Sequence, residues 1–266
     1  ALPISANPIA TEKAKPPQTV SGLPDYNQLV GREIELAQLQ GDYRRVLEGV
    51  GRPVLLIGDS GVGKTQLARE FANQARAQGA VCLYAQFFDY QASRLAPYEI
   101  FLDLLRTILG VNAANREECD LRMLTRNHFG IELPDELFTD ARLNSQIRLT
   151  TNTGALRLDD ASPYATRPLG APQTGKVASN INSRAVAPIS QCFIRASHHR
   201  PLVLILDDIQ WADAASREVI GYLMRALRSE PLMIVCLARA ESVNDRETSF
   251  AEWLKLLAGY RSYTTL

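Results

Sequence analysis

The residues best suited to chemistry in this sequence form one short loop with the spacing G-x-x-x-x-G-K-T. Its members are Gly58, Asp59, Ser60, Gly61, Val62, Gly63, Lys64 and Thr65. Glycines let backbone N–H groups turn toward a polyphosphate, where larger side chains would block the approach. The lysine ammonium can reach the β- and γ-phosphates, and the threonine hydroxyl can bind Mg²⁺. The loop therefore predicts a binding site for a polyphosphate and its metal ion.

The segments on either side of this loop support that interpretation. Residues 53–57 form an apolar, partly β-branched run that is typical of a buried strand, and residues 65–72 begin a helical pattern. A helix that begins at the loop adds partial positive charge where phosphates would lie. An ordinary glycine-rich turn is the alternative, and the order of strand, loop and helix disfavours it.

Two carboxylates at the end of a second apolar run form the other part of the candidate site. Residues 201–206 are apolar and lead directly to Asp207 and Asp208. Because ligands bind at the carboxyl ends of buried parallel strands, we expect Asp207 to serve the Mg²⁺ shell. We expect Asp208 to orient or deprotonate an attacking water. Turnover is expected to be slow, because the side chain of aspartate is one methylene shorter than that of glutamate and reaches less far toward the water. A plainer alternative is that one of them caps the following helix.

Composition and charge narrow the class of protein. The chain has 266 residues, 46% hydrophobic and 22% charged, which is enough for one sizeable α/β core. Its 29 basic and 29 acidic residues give a formal net charge of zero, so nucleic acid is not indicated as a partner. No apolar stretch approaches the ~18–20 residues that span a bilayer, so no membrane partner is expected. Four scattered cysteines without a C-x-x-C pair favour a reducing cytoplasm.

The elements that must position these residues alternate between strands and helices. Further strands are predicted at 80–85, at 232–237 and from Tyr263 onward, with helical patterns between them. Strands separated by helices predict a mainly parallel sheet with helices on both faces. Together with the loop, this pattern predicts the α/β three-layer sandwich of the P-loop NTPases.

The chain divides into regions of different character. Residues 1–27 are rich in proline and are predicted to be a linker from a preceding domain, and residues 28–266 are predicted to form the core. Within the core, residues 139–190 lack periodicity and are dominated by Thr, Asn, Ser, Gly, Pro and Ala. This composition predicts a flexible insertion outside the candidate site. The chain ends in what looks like the start of a strand, so we expect the C-terminal part of the core to be truncated.

Three segments together resemble the STAND-type signal-transduction ATPases, an AAA-like branch of the P-loop NTPases. They are residues 29–33, the phosphate-binding loop and residues 204–213. The run Asp-Asp-Ile-Gln-Trp-Ala-Asp at 207–213 is the most specific piece. It is typical of modules attached to bacterial transcriptional regulators, nucleotide cyclases and Ser/Thr kinases. The resemblance covers about residues 28–138 and 189–266.

The resemblance implies roles for further residues. Val30, Gly31 and Arg32 would lie near the adenine and ribose of a nucleotide. Arg239, expected just after the strand at 232–237, would contact the γ-phosphate and distinguish ATP from ADP by one charged contact. A solvated loop arginine is the alternative. Trp211 is expected to pack as a structural anchor below the site.

The function that the resemblance implies is a regulatory switch that binds ATP or ADP with Mg²⁺ and hydrolyses ATP slowly. The catalytic residues would be Asp208, Lys64 and Arg239, and the metal-binding residues would be Thr65 and Asp207. Effector and sensor domains of the same polypeptide would be its partners, and ATP-dependent self-association is a further expected interaction. Two alternatives stay open: a replication-initiator or clamp-loader-like AAA+ ATPase acting on DNA, and a nucleotide-bound interaction scaffold without turnover.

Overall fold

The sheet that carries the candidate site is parallel throughout. The computed structural model describes residues 31–88, 97–111, 120–138, 183–244, 249–258 and 263–265. Across these residues the strands are β1 (Arg52–Gly58), β2 (Val81–Gln86), β3 (Leu202–Asp207), β4 (Leu232–Arg239) and β5 (Tyr263–Thr265). Their order across the sheet is β2–β3–β4–β1–β5, and each neighbouring pair is parallel.

Helices cover both faces of this sheet. They are α1 (Glu33–Leu47), α2 (Lys64–Ala77), α3 (Glu99–Ile108), α4 (Leu121–Phe129), α5 (Ser183–His199), α6 (Ala214–Ala226), α7 (Ala240–Asn244) and α8 (Ser249–Ala258). Because side chains alternate along a strand, Val203 and Ile205 pack with α1 and α2, whereas Leu204 and Leu206 pack with the layer that contains α3, α5 and α6. Burial on both faces explains the continuous apolar strands, and the predicted three-layer α/β sandwich is confirmed.

The strand register brings four strand ends to one edge of the sheet. Gln86 of β2 lies beside Asp207 of β3, and Gly58 of β1 lies beside Arg239 of β4. Parallel strands place all their carboxyl ends at the same edge, where ligands of open α/β sheets bind. The phosphate-binding loop and the two carboxylates, which are far apart in sequence, therefore meet in space.

The structure differs from the sequence-based expectations at two element boundaries. β4 continues past Leu237 to Arg239, so this arginine is the last residue of a strand and does not follow it in a loop. α5 begins at Ser183, so residues 183–190 of the predicted insertion are helical. Pro188 inside α5 hid this element, because proline removes one backbone hydrogen bond and usually marks the end of a helix. Residues 1–27 and 139–182 lie outside the described residues.

Cys82 and Cys236 are buried as small apolar residues, and Cys192 is buried as well. Cys119 lies outside the described residues. None of the helices in the described ranges is long and apolar enough to cross a membrane.

Candidate functional site

The phosphate-binding loop connects the end of β1 to the start of α2. Gly61 and Gly63 have positive φ angles of 79° and 94°, which glycine adopts without the steric cost that other residues meet. A β-carbon at either position would meet no other group within 4 Å, so the space beside both glycines is open. The loop thus combines a glycine-dependent backbone with open space at a helix N-terminus, a combination that fits an anion.

The side chain of Lys64 folds back over this loop. Its Nζ donates hydrogen bonds to the carbonyl oxygens of Gly58 and Asp59, both at 2.8 Å, and only 8% of the residue is exposed. Burial lowers the pKa of the Lys64 ammonium, and the negative charges of Asp207 and Asp208 oppose that effect. An incoming polyphosphate would favour the charged ammonium further, because it adds negative charge beside it.

Thr65 and Asp207 form the oxygen-rich part of the site. The Thr65 hydroxyl donates to Asp207 Oδ2 at 2.7 Å, and the Tyr84 hydroxyl donates to the same oxygen at 2.9 Å. Burial, together with the neighbouring Asp207 carboxylate, raises the pKa of Tyr84. A hydroxyl beside a carboxylate is a donor set that suits Mg²⁺, which usually takes one or two protein oxygens and completes its shell with phosphates and water. The residues present therefore fit the metal ion predicted from the sequence.

Asp208 is held by side chains from three other parts of the chain. Its Oδ1 accepts from Gln210 Nε2 at 2.7 Å and from Arg239 Nε at 3.2 Å, and its Oδ2 accepts from Gln86 Nε2 at 3.1 Å. Its backbone is left-handed, with φ of 54°, a conformation that is uncommon and costly in a non-glycine residue. Strain of this kind persists where the surroundings hold it in place, and the three donors supply such surroundings.

The helix-capping role that was the alternative for Asp207 or Asp208 belongs to Asp213. The Asp208 side chain makes no capping hydrogen bond to the short 3₁₀-helix Ile209–Trp211 that follows it. Asp213 caps α6 instead, because its carboxylate accepts from the backbone N and the hydroxyl of Ser216 at 2.9 and 2.7 Å. Asp207 and Asp208 both direct their carboxylates into the site.

Arg239 lies at the end of β4 beside the phosphate-binding loop. Its Nε donates to Asp208, and its backbone N donates to Gln210 Oε1 at 3.3 Å. Arg239 is therefore the last residue of a strand and not a loop residue, and it is paired across the site. Its side chain is still about two-fifths exposed, at 39%.

The segment that the family resemblance placed near the adenine and ribose contacts the loop. Arg32 Nη2 donates to the carbonyl of Val62 at 3.3 Å, and its Nη1 donates to Glu35 at 2.8 Å. The hydrogen bond from Arg32 lowers the pKa of Glu35. Gly31 has a φ of 77°, and its backbone N donates to Glu33 at 3.1 Å. Val30 lies outside the described residues.

Sequence reasoning misjudged one aromatic residue and missed three polar ones. Trp211 is 40% exposed, so the expected structural anchor below the site is wrong. The three missed residues are Tyr84, Gln86 and Gln210, which all hydrogen-bond to Asp207 or Asp208. A signal was available for Gln86, the first polar residue after the apolar run 80–85, because such a residue falls at the carboxyl end of the strand.

Comparison with known proteins finds one family whose model matches most of the chain. A family model described as the AAA ATPase domain matches residues 28–235, which is more than half of the chain. The uncharacterized protein R02095 of Rhizobium meliloti (strain 1021) is 24% identical over 216 residues. The match covers 79% of this chain and 18% of that protein, so the chain spans less than a fifth of the relative's length.

Solved structures show likeness at the level of the fold. The Aeropyrum pernix ORC1 protein in complex with DNA is 15% identical with a TM-score of 0.43, covering 92% of this chain and 47% of that one. The AMPPCP-bound DnaA of Aquifex aeolicus is 10% identical with a TM-score of 0.39, covering 91% of this chain and 48% of that one. The chain spans about half the length of both structures, and at these identities the likeness concerns the fold alone.

Proposed function

The chain belongs to the AAA ATPase domain family, and we propose that its site binds ATP or ADP with Mg²⁺ and hydrolyses ATP slowly. We further propose that it works as a regulatory switch of the STAND type inside a longer signalling protein. The observation that carries the proposal is the meeting of a complete phosphate-binding loop with Asp207, Asp208 and Arg239 at one edge of the sheet.

Nucleotide binding would rest on the phosphate-binding loop, which includes Lys64 and Thr65, and on Asp207 beside it. Backbone N–H groups of residues 58–65 would hold the phosphates, and Lys64 would leave its loop carbonyls to contact the β- and γ-oxygens. Thr65 and Asp207 would bind Mg²⁺, which supplies positive charge against the developing charge of the phosphates. Tyr84 would keep the Asp207 carboxylate in place through its hydroxyl hydrogen bond.

Hydrolysis would depend on Asp208 as the residue that orients and deprotonates water. A carboxylate offers about four acceptor positions, and two of the three donors here act on Oδ1. Oδ2 accepts only from Gln86 among the described residues, so we assign the water-directed role to Oδ2. The short side chain and this donor set would together make turnover slow.

Switching would depend on Arg239, which pairs with Asp208. A γ-phosphate offers the guanidinium a competing anionic partner that ADP lacks. A ligand shifts a conformational equilibrium only through such differential contacts, so among the described residues Arg239 is best placed to report which nucleotide is bound. Effector domains, sensor domains and self-association remain proposals that follow from the family resemblance.

Substitution of Asp208 by asparagine tests the hydrolytic proposal. Asparagine tolerates left-handed backbone, so the turn at residue 208 should survive the change. We expect ATP affinity to stay within about threefold while single-turnover hydrolysis falls by at least about 10²-fold, the usual range for loss of a general base. Asp135→Asn, at an exposed position, is the control. Equal hydrolysis rates in wild type and Asp208→Asn would place the base elsewhere.

The same measurement distinguishes the proposed ATPase from the second candidate function. A nucleotide-bound scaffold without turnover is favoured by one observation, the engagement of both Asp208 oxygens by donors. Wild-type protein that binds ATP and shows no hydrolysis would support the scaffold and contradict the ATPase proposal. No observation in the described site favours action on DNA.

A further inference from the structure

Gln210 is a buried residue whose side chain joins two parts of the candidate site. Its Nε2 donates to Asp208 Oδ1 at 2.7 Å, and its Oε1 accepts from the backbone N of Arg239 at 3.3 Å. Only 7% of the residue is exposed. A carboxamide donates at one atom and accepts at another, so glutamine satisfies both neighbours in one orientation.

The backbone of Gln210 is held from another side by Arg217 of α6. Arg217 Nη2 donates to the Gln210 carbonyl at 3.3 Å. The Arg217 guanidinium carbon lies 5.4 Å from the ring centroid of Phe250 and 5.8 Å from that of Trp253, both on α8. Cation–π attraction acts at these distances, so the aromatic pair of α8 steadies the arginine that holds Gln210.

We propose that Gln210 is a positioning residue for ATP hydrolysis and that Arg217 acts through it, linking α8 to Asp208. The inference rests on the proposed function, because it requires Asp208 to act on the attacking water. Asp208 has a left-handed backbone that its neighbours must hold in place. Gln210 fixes the Asp208 side chain, while Arg217 fixes the turn that follows.

The contacts of Gln210 predict that its loss affects the rate of hydrolysis and not the binding of the nucleotide. Among the described residues, Gln210 hydrogen-bonds to Asp208, Arg239 and Arg217, and none of these belongs to the phosphate-binding loop. A displacement of about 1 Å in a catalytic group costs on the order of 10²-fold in rate. Loss of Gln210 should therefore lower kcat and leave the Kd of MgATP nearly unchanged, a split that general destabilisation of the fold would not produce.

The first test compares two variants at residue 210 in the full chain. Gln210→Met has a similar length and lacks both hydrogen bonds, whereas Gln210→Glu keeps the shape and an acceptor but replaces the donor toward Asp208 with a like charge. We expect each to lower kcat by at least about tenfold, with the Kd of MgATP within about twofold of wild type. Gln74→Met is the matched control, because the Gln74 amide donates to Glu70 on α2, away from the site.

The second test asks whether Arg217 acts through Gln210. Arg217→Met should lower kcat, and Arg217→Lys, which keeps a cation for the two rings, should recover part of the loss. In a double-mutant cycle, Gln210→Met combined with Arg217→Met should be no more than about twofold slower than Gln210→Met alone. If the two losses multiply, Arg217 acts independently and the proposed link is wrong.

The outcomes distinguish this inference from the proposed function. Wild-type hydrolysis together with an unchanged kcat in Gln210→Met overturns the positioning role and leaves the ATPase proposal standing. A wild-type protein without hydrolysis overturns both. If Gln210→Met does not fold by circular dichroism, Gln210→Glu decides by the same criterion, since its side chain has the native shape.

Discussion

Arg239 Nε donates to Asp208 Oδ1 at 3.2 Å and so joins the end of β4 to the residue that follows β3. The exposed fraction of the side chain is 39% for Arg239 and 17% for Asp208. Because the arginine is partly in solvent, screening weakens the pair, and a multiply charged anion beside it can compete for the guanidinium. We therefore propose that this pair differs between an ATP-bound and an ADP-bound state.

The first prediction concerns the nucleotide preference of Arg239→Ala. If Arg239 contacts the γ-phosphate, the variant loses one charge-assisted hydrogen bond, worth roughly 1.5–3 kcal/mol, with ATP and none with ADP. ATP affinity should fall by about tenfold to a hundredfold, and ADP affinity should stay nearly the same in calorimetric titrations. Arg225→Ala, at an exposed position of α6, serves as the control. Equal losses for both nucleotides would show that Arg239 is structural.

The second prediction concerns metal dependence at Asp207. Thr65 and Tyr84 both donate to Asp207 Oδ2 and hold the carboxylate in place. Asparagine at position 207 removes the negative charge that favours Mg²⁺. The Mg²⁺ concentration for half-maximal hydrolysis should rise by at least about tenfold in Asp207→Asn. Tyr84→Phe should produce a smaller rise in the same direction, because it removes a group that orients the carboxylate. An unchanged Mg²⁺ requirement in Asp207→Asn would place the metal ligand elsewhere.

The elements of the fold that could be predicted from the sequence are those with strong local patterns. Residues 53–57 and 201–206 are continuous apolar runs, and burial on both sheet faces requires that pattern. The glycine and lysine spacing of the loop is likewise local. Both patterns therefore predicted the strands and the loop without knowledge of tertiary contacts.

The contacts of Tyr84 with Asp207 and of Gln86 with Asp208 could not be predicted, because they depend on strand register. Gln86 reaches Asp208 only because β2 pairs with β3, and nothing near either residue encodes that pairing. The end of β4 is set in the same way by its pairing with β1, so the strand was predicted to end at Leu237, two residues before Arg239. Trp211 was expected to pack as a structural anchor below the site, yet its place in a short 3₁₀-helix leaves it partly in solvent.

A third prediction uses the buried cysteines. Burial raises the pKa of the Cys82, Cys192 and Cys236 thiols to about 12. Only the thiolate reacts with disulfide reagents, and at pH 8 a thiol with this pKa is ionised in roughly one molecule in 10⁴. Native protein should therefore react rapidly at no more than one of its four thiols, and all four should react in denaturant. Rapid reaction of two or more thiols in the native state would contradict the burial of these residues.

Calorimetric titration of MgATP into the wild-type chain and into Lys64→Ala tests the central proposal most directly. The Lys64 ammonium lies over the loop carbonyls, where a polyphosphate would draw it into two charged hydrogen bonds. We predict that Lys64→Ala loses at least about 10²-fold in MgATP affinity and keeps the wild-type circular dichroism spectrum. Lys255→Ala, at an exposed position on α8, should bind as wild type does. MgATP binding by Lys64→Ala with wild-type affinity, or no binding by the wild-type chain, would contradict nucleotide binding at this loop.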